Sequence, residues 1–397
     1  MLKVGLSGGI GSGKSTVASH LVSRGAFLVD SDVIAREVVA PGTPGLAEIV
    51  ESFGARVLTD DGVLDRPVLG AMVFADLESR RRLESITHPR IAARTAELIA
   101  GAPHDAVVLH DVPLLVEKAM GPAYHLVVIV GTGEDERLRR LVDQRGMDPE
   151  HARSRIRSQA QDEQRQAAAD VWLSNDAGVA DLLLSLDGLW EERIVPFERN
   201  VRDHRPAPRP DLLTIHEPDP TWPAQAERVM GRLRHVLGEL AVAVEHVGST
   251  AVADLPARDE IDLQVALRAL GDVDDADVQH GLAAAGFVAA PRVRQDQPSG
   301  PEAAEETLEH RLLGADPHQL VQVHLRAADG DERRRALLIR DWLRATPSAR
   351  DDYAALKAFS ARAGRSGTEY LNAKQEWSAK AVVRAQQWAS KTRWSIS

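Results

Sequence analysis

Near its start the chain reads Gly8-Gly9-Ile10-Gly11-Ser12-Gly13-Lys14-Ser15, which fits G-x-x-x-x-G-K-[ST]. Glycines let successive backbone N–H groups turn inward around phosphate oxygens, and a helix starting here adds its positive end. On this reading Gly9, Gly11, Ser12 and Gly13 cradle the phosphates of a nucleotide. Lys14 reaches the β- and γ-phosphates, and the Ser15 hydroxyl ligates Mg²⁺. Thr16, next along, either caps the helix or touches the α-phosphate. The chain has 7 lysines against 41 arginines, so a lysine at this position is informative.

A second group of residues bears on what the phosphates are for. No N-K-x-D guanine motif is present, which disfavours a GTPase. Asp30-Ser31-Asp32 follows the second expected strand. Asp32 either accepts the proton of an acceptor hydroxyl and helps hold Mg²⁺, or caps the helix that follows. Asp111, ending the third strand, could support Mg²⁺ or the acceptor. Arg137, Arg140 and Arg145 lie on a charged helical stretch suited to a lid over phosphates, and Arg139 reads as solvated helix face.

These residues need elements to hold them. Leu2–Leu6, Ala26–Val29, Ala106–His110, Leu126–Val130 and Val171–Ser174 read as strands, the third and fourth as buried strands of a parallel sheet. A helix is expected over Ser15–Arg24, and mainly helical structure over 35–100 and 134–166. Alternating strands and helices argue an α/β fold with helices on both faces of the sheet. The stretch RDHRPAPRP, with three prolines in five residues, reads as an exposed linker. The expected domains are therefore 1–200 and 214–397, joined by 201–213. In the second, Trp222–Leu240 reads as a helix, Val242–Val247, Ile261–Leu267 and Leu320–Leu325 as strands, Asp296–Glu306 as a mobile loop, and Arg333–Ser390 as largely helical.

Composition narrows the setting. At 397 residues two or three domains are expected. With no cysteine, thiolate catalysis, disulfides and Cys-ligated zinc are excluded, and a cytoplasmic address fits. A net charge of −11 argues against generic binding to nucleic acid or an anionic membrane. The start lacks the pattern of a signal peptide, and no run approaches a membrane span.

Residues 1 to 200 resemble the dephospho-coenzyme A kinase family. The resemblance rests on GLSGGIGSGKST, D-S-D-x-x-x-R, Thr87-His88-Pro89, Pro113-Leu114-Leu115-Val116-Glu117, Arg140, and the ordered block Gln159, Glu163, Arg165, Ala169-Asp170 and Asn175. It implies a P-loop core, a helical acceptor region and an Arg-bearing lid. It also implies Mg·ATP phosphorylation of the ribose 3′-hydroxyl of dephospho-CoA. By that likeness Lys14, Asp32 and Arg140 are catalytic, with Arg140 the main transition-state contact. Asp32, Arg36, His88, Leu114 and Glu117 then belong to the acceptor region, although His88 also reads as a cap or turn histidine. Glu117 orients that region or pairs with an arginine. Asn175 lies near the adenine or caps the next helix.

Residues 215 to 390 resemble the GrpB-like family, through EPDPTWP, EHVGSTAVADLPA, Arg340-Asp341-Trp342-Leu343, Tyr353, Lys357, Tyr370 and Lys374. Gly248-Ser249 and the pair Glu260 and Asp262 echo a nucleotidyltransferase: a turn for phosphate, and two carboxylates on one strand face sharing metal. An α+β nucleotidyltransferase-like fold is expected. Arg258-Asp259 stands where the family has Lys-Pro, and the strand near Val321 offers His324 rather than a third carboxylate. A non-catalytic role is therefore expected. For the whole chain the alternatives are another P-loop small-molecule kinase, of nucleoside monophosphate or shikimate type, or an ATP-sensing interaction protein.

Overall fold

The computed structural model describes residues 1–210, 214–290, 310–362 and 367–396. The loop expected over Asp296–Glu306 lies outside the described residues, as do the side chains of Tyr370 and Lys374. The chain forms two compact units. One holds Met1 with residues 3–118 and 126–186, and the other holds Leu2 with 119–125 and 187–397.

The first unit is α/β. Its strands are β1 (Leu2–Gly8), β2 (Phe27–Asp30), β3 (Val107–Asp111), β4 (Leu126–Gly131) and β5 (Val171–Ser174), in the order β2-β3-β1-β4-β5. The pairs β2–β3, β1–β4 and β4–β5 run parallel. Every residue of β3 and β4 is buried, as a strand covered on both faces requires. The order places β1 between β3 and β4, so Gly8 and Asp111 finish at one edge, with Asp30 beside Asp111. Parallel sheets bind ligands at the carboxyl ends of their strands where strand order reverses.

The region expected to be helical over 35–100 is broken into Ser31–Glu37, Pro44–Phe53, Arg66–Ala75 and Leu77–Ala100. The breaks follow caps: the side chains of Thr43, Asp65 and Asp76 accept N–H groups of Leu46, Val68 and Ser79. Leu46, Ile49, Phe53 and Ile86 give these helices their own core. Pro89 stands inside the helix Leu77–Ala100, so His88 is an exposed mid-helix residue and not a cap or turn histidine. The missing N–H of Pro89 affects only the carbonyl of Ser85, which is exposed. The charged stretch forms Glu134–Asp143, Pro149–Arg157 and Asp162–Ala168.

The second unit is α+β around a mixed sheet: β6 (Ala241–Val247), β7 (Ile261–Leu267), β8 (Phe287–Ala289), β9 (Arg311–Gly314) and β10 (Val321–Ala327), ordered β6-β7-β10-β9-β8. The β7–β10 pair is parallel and the others are antiparallel. Strands β8 and β9, of three and four residues, carry too little alternation to be read from sequence. The helix at Trp222 ends at Leu237 and continues as one 3₁₀ turn to Leu240. Helices Asp331–Ala345, Pro347–Arg362 and Gly367–Thr392 follow the sheet. Among the described residues no helix is long and apolar enough to cross a membrane.

The proline-rich stretch is not an exposed linker throughout. Ala207 is buried and donates its N–H to Gly314, and Arg209 binds Glu260 at 2.5 Å and the Val321 carbonyl at 3.0 Å. Residues 119–125 and 187–200, which the sequence places with the first domain, cluster in the second unit. There Arg193 forms a buried ion pair with Asp316 at 2.7 Å, and His125 Nε2 lies 2.6 Å from the Ala284 carbonyl.

Candidate active site

The loop between β1 and the helix Lys14–Ser23 is built by backbone geometry that a side chain would obstruct. Gly13 has φ +97°, and a Cβ there would collide with the Asn175 amide. A Cβ on Gly9 would collide with the Arg137 guanidinium and stand 3.2 Å from that of Arg165. Gly11 has φ +81°, and Ser12 N–H donates back to Gly9 O at 3.0 Å. Ser15 and Thr16 open the helix.

Arg137 and Arg165 are the main cations at this turn. Each is 4% exposed, and they share one carboxylate, Asp162, at 3.7 and 2.7 Å. Arg137 Nε and Nη1 and Arg165 Nη2 are buried without a hydrogen-bond partner among the described residues. Two buried guanidiniums facing a glycine turn with one anion between them form a receptor for more negative charge, which is what a nucleotide phosphate supplies.

Arg140 reaches the loop as well. Its Nε binds Glu136 at 2.7 Å, its Nη1 lies 3.4 Å from the carbonyls of Gly11 and Ser12, and its Nη2 donates to Asn175 O at 3.0 Å. Carbonyl oxygens thus hold its guanidinium against the loop. Arg139 and Arg140 together pull the Glu136 carboxyl down to about 2. Asn175 is buried beside Arg140, and its Nδ2 donates to Ser12 O at 2.8 Å, so it braces the loop and does not cap a helix. Thr132 Oγ1 donates to the same carbonyl at 3.1 Å. Arg145 is exposed.

Lys14 forms an ion pair with Asp111, the last residue of β3. Burial raises the Asp111 carboxyl, while the Lys14 ammonium opposes that rise and Asp30 and Asp32 add to it. Asp30, not Asp32, caps the helix Ser31–Glu37: its Oδ1 accepts the N–H groups of Asp32 and Val33 at 2.8 and 3.1 Å. This disposes of the capping role for Asp32, whose side chain is exposed in the first turn. His110 Nε2 lies 3.0 Å from Ser31 Oγ, and burial lowers the imidazole to about 4, so it is neutral at pH 7.

Arg36, His88 and Leu114 are exposed, and the helices carrying Arg36 and His88 pack on each other. Among the described residues Glu117 pairs with no arginine; its Oε1 accepts Ala160 N–H at 2.8 Å. One residue earlier, Gln159 Oε1 accepts the N–H of Ile10 in the loop at 2.8 Å. These two side chains tie the segment leading into the Arg165 helix to the loop and to the exit of β3. Sequence reading gave Gln159 and Arg165 no role, because a glutamine or arginine on a charged stretch carries no signal of which one turns inward.

In the second unit the expected carboxylate pair is not assembled. Gly248 has φ +73° and packs on Asp262, and Ser249 Oγ accepts from Lys357 Nζ at 2.7 Å. Glu260 precedes β7 and is held by Arg209, with Arg258 at 3.6 Å, in a different cavity from Asp262. Among the described residues no group of three His, Cys, Asp or Glu side chains is placed to hold a metal ion.

A parallel sheet with a phosphate loop after β1, a lysine in it, and arginine-bearing helices over it defines a P-loop phosphotransferase of the small-molecule kinase class. Comparison with known proteins narrows the class. The family model for dephospho-CoA kinase matches residues 2–181, and that for GrpB protein matches residues 212–384. A dephospho-CoA kinase of Mycolicibacterium paratuberculosis is 45% identical over 409 aligned residues, covering 99% of this chain and all of that one. A dephospho-CoA kinase of Streptomyces avermitilis is 52% identical over 194 residues, 49% of this chain and 95% of its own. The solved dephospho-CoA kinase of Campylobacter jejuni is 25% identical, covers 48% of this chain and 96% of its own, and has a TM-score of 0.39. The chain belongs to the dephospho-CoA kinase family of coenzyme A biosynthesis, with a GrpB domain behind the kinase domain.

Proposed function

We propose that residues 1–200 transfer the γ-phosphoryl group of ATP to the ribose 3′-hydroxyl of dephospho-CoA, giving CoA and ADP, through the residues described above. The observation that carries the reading is the buried Arg137–Arg165 pair set against Gly9, in the same glycine turn that leads into Lys14. Phosphoryl transfer needs alignment and charge neutralisation more than covalent participation. Lys14 and the two arginines draw charge from the phosphates, and Asp32 takes the proton of the attacking hydroxyl. Arg140 and Asn175 hold the loop in shape. Arg36, His88 and Leu114 form the acceptor side.

Ser15 and Asp32 would supply hard oxygen donors for Mg²⁺, an ion that keeps several waters and takes further ligands from phosphate oxygens. When bound, that ion neutralises charge on the β- and γ-phosphates.

We assign the GrpB domain no nucleotidyl transfer, since Arg209 occupies Glu260, and Glu260 and Asp262 line different cavities. A cytoplasmic setting fits the absence of cysteine. A coupled assay of ADP release with dephospho-CoA, AMP and shikimate as acceptors tests the reading. Acceptor-dependent release with dephospho-CoA is expected and should vanish in Lys14→Ala. Wild-type turnover in that variant would sink the P-loop assignment.

A further inference from the structure

One buried polar group of the first unit has no part in the chemistry assigned to the site. β3 reads Val107-Val108-Leu109-His110-Asp111 and is buried along its whole length, where a strand of a parallel sheet normally carries apolar residues. His110 is nonetheless only 5% exposed. Burying an imidazole costs free energy unless a hydrogen bond meets it. Its Nε2 lies 3.0 Å from Ser31 Oγ, a hydroxyl 79 positions away in sequence.

Ser31 stands between Asp30, which caps the helix Ser31–Glu37, and Asp32 in the first turn of that helix. The register sets Val29 of β2 beside His110 and Asp30 beside Asp111. Neighbouring residues of a strand point to opposite faces, so the last two residues of β3 reach different partners. Asp111 pairs with Lys14 of the phosphate loop, and His110 meets the first residue of the helix that carries Asp32. One strand end thus ties both the loop and the helix to the sheet.

The helix needs such a tie. With seven residues it is too short to hold its shape alone in water, and Ile34 is its buried side chain. At its far end Glu37 pairs with Arg94 at 3.3 Å, an exposed contact of little strength. Asp32 and Arg36 are exposed, so their places follow from how the helix lies. A helix is about 10–12 Å across with its side chains, so a roll of roughly 10° carries a side-chain tip by about 1 Å. A misplacement of that size can cost about 10²-fold in rate.

We propose that the His110–Ser31 hydrogen bond is a positioning device for phosphoryl transfer, which fixes the roll of the helix Ser31–Glu37 and so sets the Asp32 carboxylate against the acceptor hydroxyl. The inference rests on the reading of Asp32 as the proton acceptor. His110 and Ser31 act through Asp32 and do not touch the reacting atoms.

The test is steady-state kinetics of the full chain with ATP and dephospho-CoA. Ser31→Ala removes only a hydroxyl in a first helical turn, where alanine is well tolerated. It should lower kcat by about 10–10²-fold and leave KM for ATP within about twofold, since the phosphate loop is untouched. His110→Ala should do the same, and His110→Gln, whose amide either donates or accepts, should restore most of the rate. Because the tie acts through Asp32, Ser31→Ala should cost nothing further when added to Asp32→Asn. A merely structural contact would lower the melting temperature of Ser31→Ala and leave its kcat unmoved. That result beside a slow Asp32→Asn would overturn the positioning role and keep Asp32 as the base. Losses that multiply in the double variant would overturn it as well. Wild-type turnover in Asp32→Asn would instead overturn the base reading, and the inference with it.

Discussion

Lys14 and Asp111 are joined as an ion pair across the carboxyl edge of the sheet, the ammonium from the phosphate loop and the carboxylate from the end of β3. The same ammonium must face a nucleotide's phosphates, so the two residues act as a unit. Asp111→Asn should lower kcat by about 10–10²-fold, and Lys14→Ala should remove most activity. Because the pair shares one interaction, the double variant should be no slower than Lys14→Ala alone. Steady-state kinetics with dephospho-CoA measures this, and losses that multiply would separate the two roles.

Arg137→Ala and Arg165→Ala should each cut kcat/KM for ATP by about 10²–10³-fold, as loss of a charge-stabilising donor does. Arg140→Ala should act through the loop carbonyls it holds, lowering the melting temperature together with activity. A change below threefold in Arg137→Ala would remove that arginine from the phosphate site.

Glu117 accepts a backbone N–H, a task an amide oxygen can also perform. Glu117→Gln should therefore keep near-normal turnover, while Glu117→Ala should raise KM for ATP and lower kcat through a misplaced Gln159–Arg165 segment. If Glu117→Gln proves as slow as Glu117→Ala, the negative charge itself is needed.

His110 and His246 are both buried, and burial lowers each to about 4. The unfolded chain, with imidazoles near 6.5, binds more protons than the folded one between these values. Stability should thus be flat above about pH 7 and fall as pH drops from 6.5 toward 4. Melting curves across that range should show a smaller acid loss in His110→Gln than in wild type, and an unchanged slope would contradict the buried neutral imidazole.

Much of the kinase site was legible because its chemistry is local. A glycine loop between a strand and a helix fixes where Lys14 and Ser15 stand, and Asp32 falls two residues beyond a strand end. The arginines were legible only as a group. Arg137, Arg139, Arg140 and Arg145 share one charged stretch, and which guanidinium turns inward depends on which helix face meets the loop. Arg165, some twenty residues further on, reaches the same glycine only through folding. In the second unit Glu260 and Asp262 alternate in sequence as a metal pair would, but β7 begins at Ile261, and Arg209 takes the first carboxylate.

Sequence alone settled the fold class of each half, the phosphate loop and the family, since strand periodicity and contiguous motifs are properties of neighbouring residues. Tertiary structure decided which charged side chains became partners. It moved Arg140 onto loop carbonyls, set Arg137 and Arg165 over Gly9, and gave Lys14 its carboxylate. Those outcomes turn on burial and distance between residues up to 156 positions apart, as Gly9 and Arg165 are, and no local pattern encodes them.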